Sequence, residues 1–115
     1  HRRYMEIFIH QGHEIAAYRL AGGGAKSDYW SQMFADVLGR PVEVVQASEL
    51  GALGCCITAG ISAGIFSSFD DACAHMLGEC KTFYPIPENQ EKYQKQYEKW
   101  TDTVRHMCAF WDQKK

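Results

Sequence analysis

An α/β layer fold is what this sequence predicts, and three observations predict it. Short apolar or β-branched runs alternate with longer amphipathic ones along the chain. Three consecutive glycines, Gly22, Gly23 and Gly24, join one such short run to a strongly periodic helix. At 115 residues the chain has room for one small domain.

The elements follow in order. Residues 2–11 read as the tail of a helix, with Met5, Phe8 and Ile9 on one side and Gly12 as its stop. Because the chain opens on His1 in mid-element, we expect it to be a piece of a longer polypeptide. Residues 15–20 (Ile-Ala-Ala-Tyr-Arg-Leu) form a short, mostly apolar strand. After the glycines, residues 28–38 form a helix with Ser27 as N-cap and Asp28 set against the helix dipole. Trp30, Met33, Phe34, Val37 and Leu38 make one apolar face, expected to be core. Gly39 supplies a left-handed terminus, and Pro41 bars continuation. Residues 42–45 (Val-Glu-Val-Val) are a buried strand.

Ser48 is the expected N-cap of the next helix, residues 49–63, whose many small residues call for close packing against a neighbour. Glu49 is either a dipole partner or a contact near a nucleotide. Ser68 caps a short helix through residue 77, with Asp70 and Asp71 in its first turn and Gly78 after it. Its His75 is assigned to surface or packing. Residues 80–84 form an edge strand punctuated by Pro85 and Pro87. The last helix, 88–111, carries Tyr93, Tyr97, Trp100, Val104, Met107 and Trp111 as a heptad-like stripe. Such a stripe either lies across its own domain or meets a partner helix.

Composition bounds the function. A net charge of −2 argues against a nucleic-acid surface, and no apolar run reaches the length of a membrane span. Five cysteines, Cys55, Cys56, Cys73, Cys80 and Cys108, show no C-x-x-C pair and no metal-ligand spacing. They are expected to be buried, reduced thiols in a cytoplasmic protein.

The glycine turn carries the functional signal. Glycines allow positive φ and close approach of another molecule to the main chain. The helix behind them offers unpaired N–H groups and the positive end of its dipole, which suits a phosphate-bearing ligand. A tight turn without ligand is the alternative. Ala25 and Leu20 stand where a P-loop requires glycines, so Lys26-Ser27 is not a Walker A pair. The dinucleotide pattern G-x-G-x-x-G is met at Gly22 and Gly24, but Ser27 holds the third place.

Over residues 20–64 the chain resembles the C-terminal domain of the FGGY carbohydrate kinases. The carrying residues are Gly22-Gly23-Gly24-Ala25-Lys26-Ser27, Trp30, Gln32-Met33 and Asp36-Val37-Leu38-Gly39. Pro41-Val42, Glu49-Leu50-Gly51-Ala52-Leu53-Gly54 and Ala59-Gly60 follow, and a looser likeness runs on through Tyr84-Pro85 to the last helix. The resemblance implies a partial ribonuclease H-like, actin-type ATPase domain and a kinase several times longer than this chain. It implies ATP and Mg2+ as cofactors, and a sugar bound through an N-terminal domain that these residues do not include. The wording of the helices looks closest to xylulose-type enzymes, so a pentulose is the expected acceptor, and a homodimer is among the assemblies allowed.

By the same resemblance, Gly22, Gly23 and Gly24 turn their amides toward the phosphates, Gly23 foremost, and Ser27 lies near the adenine. Ala25 and Lys26 are further candidates at the base. The family's catalytic aspartate lies upstream; neither Asp28 nor Asp36 matches it, and the segment alone is expected to be inactive. Two rival readings stay open: a non-catalytic nucleotide-binding or interaction domain of actin-type fold, and a dinucleotide-binding oxidoreductase fragment.

Overall fold

A computed structural model describes residues 1–45, 47 and 49–112 of the chain; for Asp112 it describes the backbone alone. The order of elements is the expected one: α1 (Arg2–His10), β1 (Tyr18–Leu20), a 3-10 turn (Gly23–Lys26), α2 (Asp28–Leu38), β2 (Val42–Val45), α3 (Leu50–Ser62), α4 (Phe69–Met76), β3 (Cys80–Phe83) and α5 (Pro87–Asp112). β1 is shorter than the predicted run, because its pairing with β2 spans only Tyr18↔Val42 to Leu20↔Val44.

The three strands form one sheet in the order β1-β2-β3. β1 and β2 are parallel, joined through the glycine turn and α2, while β3 returns antiparallel along the outer side of β2. A parallel pair needs such a crossover, whereas an antiparallel edge strand does not. Both β1 and β2 therefore end on the side where the 3-10 turn lies, and β3 begins there, with Val45 opposite Cys80.

The main core joins Ala35 of α2 to Val42 and Val44 of β2 and Phe83 of β3, with Tyr18, Leu20, Ala25 and Phe34 packed around them. Val42, Val44 and Phe83 alternate on one face, as a half-buried sheet requires. A separate packing centre lies between α3 and α4, where Ile57, Gly60 and Ala72 are buried. The glycine at 60 is needed there: a Cβ would stand 2.7 Å from the Phe66 ring.

Several expectations are corrected. The apolar face of α2 is core only in part: Phe34 packs against the main core and Met33, Val37 and Leu38 are half-buried, but Trp30 is 50% exposed and the fully buried residues are Ser31, Ala35 and Asp36. Of the small residues, Ala35 packs against Val42, Val44 and Phe83 of the sheet. The larger ones turn into a groove of about 280 Å³ bounded by the start of α1 and by Tyr97 and Trp100 of α5. Cys55, Cys56, Cys80 and Cys108 are exposed rather than buried; Cys73 is half-buried, and all five are reduced. Cys55 and Cys56 are open because α3 leaves most of its small-residue face in solvent. Close packing likewise explains Gly60 but not Gly51 or Gly54, where an added Cβ would meet nothing within 4 Å. The Ser48 cap lies outside the described residues. α4 ends with Leu77 already extended, one residue before Gly78.

The caps hold elsewhere. Ser27 Oγ accepts from the Trp30 amide at 3.4 Å, Ser68 Oγ accepts from the Asp71 amide at 3.1 Å, and Gly39 takes φ 66° at the end of α2. His75 is a surface residue, with its ring 5.9 Å from that of Phe66 and Nδ1 3.2 Å from Asp71 Oδ1. α1 is fastened to α5 by polar contacts: the Tyr97 hydroxyl donates to Glu6 Oε2 at 2.5 Å, and the Arg2 guanidinium lies 4.2 Å over the Tyr97 ring. Burial first, and then the Glu6 carboxylate, push the Tyr97 phenol above its ordinary pKa.

The radius of gyration, 18.8 Å, exceeds the roughly 13 Å of a compact chain of this length. Much of the stripe on α5 stays open, with Trp100, Met107 and Trp111 about half exposed.

Candidate functional site

A cleft of about 830 Å³ lies at the carboxyl ends of the parallel strands. Open α/β sheets bind ligands in that position. One wall is the glycine turn, with Gly22, Gly23, Ala25 and Lys26, and Asp28 behind it. The opposite wall is Val44 and Val45, then Ala47 and the start of α3, Glu49 to Gly51. Lys81 and Phe83 of β3 complete it.

Each wall has a local cause. Gly22 takes φ 82° and ψ −161°, a conformation essentially restricted to glycine, and so turns the chain out of β1 into the 3-10 turn. Gly23 and Gly24 do not have positive φ; their value is bare main chain, since an added Cβ on either would meet nothing within 4 Å. Ser27 closes the turn by capping α2. At the far wall, Glu49 occupies the N-cap position of α3 without a side-chain cap bond.

The predicted residues are thus divided. Gly22 and Gly23 line the cleft, as do Ala25 and Lys26, while Gly24 and Ser27 are not among its lining residues. Ser27 acts here as the cap.

Two ion pairs span the mouth. Lys26 Nζ is 3.5 Å from Glu49 Oε1, linking the glycine turn to α3. Lys81 Nζ is 2.5 Å from Asp28 Oδ2, linking β3 to the first turn of α2. Both are solvent-exposed and correspondingly weak. The Lys26–Glu49 pair lends weight to the reading of Glu49 as a cleft residue. Sequence reasoning missed Lys81. The signal was the two-residue period of β3, which sets Lys81 on the same side as Phe83.

Asp36 has a different job. It is 3% exposed and accepts from Gln32 Nε2 at 2.9 Å, the Ile86 amide at 2.8 Å and Asn89 Nδ2 at 2.8 Å. It ties α2 to the start of α5 and does not line the cleft.

A cleft of this size falls in the range of small-molecule sites, about 300–1,000 Å³. Bare main-chain amides and two lysines on its rim suit a ligand with an extended anionic part. Among the described residues, no group of three or more His, Cys, Asp or Glu is gathered to hold a metal ion, and no helix is long and apolar enough to cross a membrane.

Comparison with known proteins supplies the family. The profile of the C-terminal domain of the FGGY family of carbohydrate kinases matches residues 1–63. An autoinducer-2 kinase of Escherichia coli is 46% identical over 80 residues, covering 70% of this chain and 15% of that protein. The autoinducer-2 kinase of Salmonella paratyphi B is 38% identical over 107 residues, 93% of this chain and 20% of its own length. The chain therefore spans between about a seventh and a fifth of the relatives it matches. Among solved structures, xylulose kinase from Rhodospirillum rubrum superposes with a TM-score of 0.71 at 27% identity, over 95% of this chain and 22% of that one. Ligand-bound xylulose kinase from Lactobacillus acidophilus superposes with a TM-score of 0.72 at 21% identity, over 84% of this chain and 20% of that one. With its profile match and these superpositions in agreement, the chain belongs to the FGGY family of carbohydrate kinases, with the actin-type fold of their C-terminal portion.

Proposed function

We propose that this chain forms the nucleotide-binding wall of an ATP-dependent carbohydrate kinase, as part of a longer cytoplasmic polypeptide. The observation that carries the reading is the glycine turn itself: Gly22 and Gly23 bare their main chain to a cleft at the carboxyl ends of β1 and β2. In this reading Gly22 and Gly23 present amides to the phosphates of ATP. Gly24 and Ser27 act indirectly, by shaping the turn and capping α2. Lys26 and Glu49 face each other across the two walls as an exposed, weak ion pair.

ATP supplies the γ-phosphoryl group that passes to a sugar hydroxyl, and such transfer depends on positioning and on offsetting charge. Mg2+ would come to the site with ATP, held in good part by the phosphates themselves. The chain contributes binding and orientation rather than the base. Asp36 is enclosed by three donors, and Asp28 is engaged by Lys81.

For the acceptor, the higher identity to autoinducer-2 kinases favours autoinducer-2 over the pentulose expected from the sequence. Xylulose is the second reading, supported by the superposition on xylulose kinases.

The test is ADP release by the full-length protein with Mg-ATP and a panel of autoinducer-2, xylulose, other pentuloses, hexuloses and polyols. Release that depends on one acceptor is the expected result. Release indifferent to every acceptor would favour an actin-type ATPase, and displacement of ATP by NAD would favour the dinucleotide reading. Gly23→Leu should weaken ATP binding at least about tenfold, an amount worth about 1.4 kcal/mol. The fold tolerates the change because position 23 is open and its φ is not positive.

A further inference from the structure

We propose that Lys81 is a nucleotide-contacting residue, carried on the edge strand and exchanging its carboxylate partner for the phosphate chain of the bound nucleotide. This rests on the nucleotide reading of the cleft and extends it to a residue outside the 1–63 segment matched by the family profile.

The first observation is one of register. In β3, Phe83 lies opposite Val42, and Lys81 lies opposite Val44. Val42, Val44 and Phe83 are all buried, so strand alternation gives Lys81 the core-facing side of the sheet. A lysine is a poor choice for that side unless its head escapes the core. It escapes into the cleft, where its side chain is 45% exposed and its ammonium lies 5.0 Å from the centre of the Phe83 ring.

The second observation concerns its partner. Lys81 Nζ rests on Asp28 Oδ2 at 2.5 Å, and the Asp28 side chain is 71% exposed. An ion pair this open to water contributes little, so it is readily given up. A phosphate chain carries more charge and more acceptor oxygens than one carboxylate and is the stronger partner for an ammonium. Asp28 thereby serves as a resting counter-ion: it keeps the lysine over the cleft while the ligand is absent, and it competes with the ligand for that same lysine.

The experiment is titration of the full-length protein with Mg-ATP and, separately, with adenosine. Lys81→Met should weaken ATP about tenfold and leave adenosine within about twofold, because only the phosphates meet the lysine. Lys81→Arg should hold ATP binding within about threefold of wild type. Asp28→Asn should tighten ATP several-fold by releasing the lysine, a gain that a merely structural ion pair would not produce. Equal loss of ATP and adenosine in Lys81→Met, or unchanged ATP affinity beside a defective Gly23→Leu variant, would overturn the role of Lys81 alone. Failure of the wild-type protein to bind ATP at all would overturn the nucleotide reading and this inference with it.

Discussion

Replacing Asp36 by alanine tests how the two halves of the chain are held together. The carboxylate is almost wholly buried and accepts three hydrogen bonds, from Gln32, Ile86 and Asn89. A hydrogen bond onto a charged group is worth about 1.5–3 kcal/mol, but three sharing one acceptor are not additive. Gln32 keeps a second acceptor, the Tyr84 carbonyl at 2.8 Å, and the Asn89 side chain can rotate toward solvent. The Ile86 amide is main chain and cannot turn away, so its loss carries the larger penalty. Together these terms give an expected loss of about 3 kcal/mol. At the usual unfolding entropy per residue, a chain of 115 residues loses about 4 °C per kcal/mol, so Tm should fall by about 12 °C. Asp36→Asn keeps an oxygen for Ile86 and lets Asn89 reverse its amide, so about 1 kcal/mol is expected. Urea unfolding followed by circular dichroism measures both. A loss below about 0.5 kcal/mol for the alanine variant would refute the argument, because ordinary surface substitutions cost that little.

Three further predictions concern α3 and α4. Gly60→Ala should destabilise by about 1 kcal/mol despite its better helix propensity, because the new methyl overlaps the Phe66 ring. Adding Phe66→Leu should restore part of the loss in the same urea assay. Gly54→Ala, in open space on the same helix, should instead stabilise by roughly 0.5–1 kcal/mol. The Asp71 carboxyl is held below its ordinary pKa by the Ser67 amide and then by the Ser67 hydroxyl, both at 2.8 Å. The folded chain thus binds this proton less readily than the unfolded chain. The Asp71 contribution is present above the ordinary aspartate value, about 4, and is lost as pH falls below it through the lowered folded value. Unfolding of Asp71→Asn should therefore show a shallower acid limb than wild type; identical limbs would remove the assignment.

Element types and order were legible because their signals are local. Ser27, Gly39 and Ser68 acted as the caps their positions implied. What failed depended on neighbours that a period cannot name. The apolar stripe of α2 was taken for core, yet only part of it is: Ala35 and Phe34 pack with the sheet, whereas Trp30 is half exposed beside the groove toward α5. Thiol burial failed for a similar reason: hydropathy describes what α3 could bury, whereas Cys55 and Cys56 are open because no described residue covers them. At the site, Gly22 and Gly23 were readable as main-chain positions, and Lys26 and Glu49 as secondary candidates. Lys81 was not, since its place in the cleft follows from antiparallel pairing with β2, a contact between residues far apart in sequence.

Amide hydrogen exchange of the full-length protein with and without Mg-ATP tests the central claim most directly. If the glycine turn, the start of α3 and the start of β3 form a nucleotide site, ATP should protect peptides covering residues 20–28, 49–54 and 80–84. Peptides within 102–110 of α5 should be unchanged. Bound ATP that leaves the first three regions as exchangeable as before would contradict the assignment of this cleft.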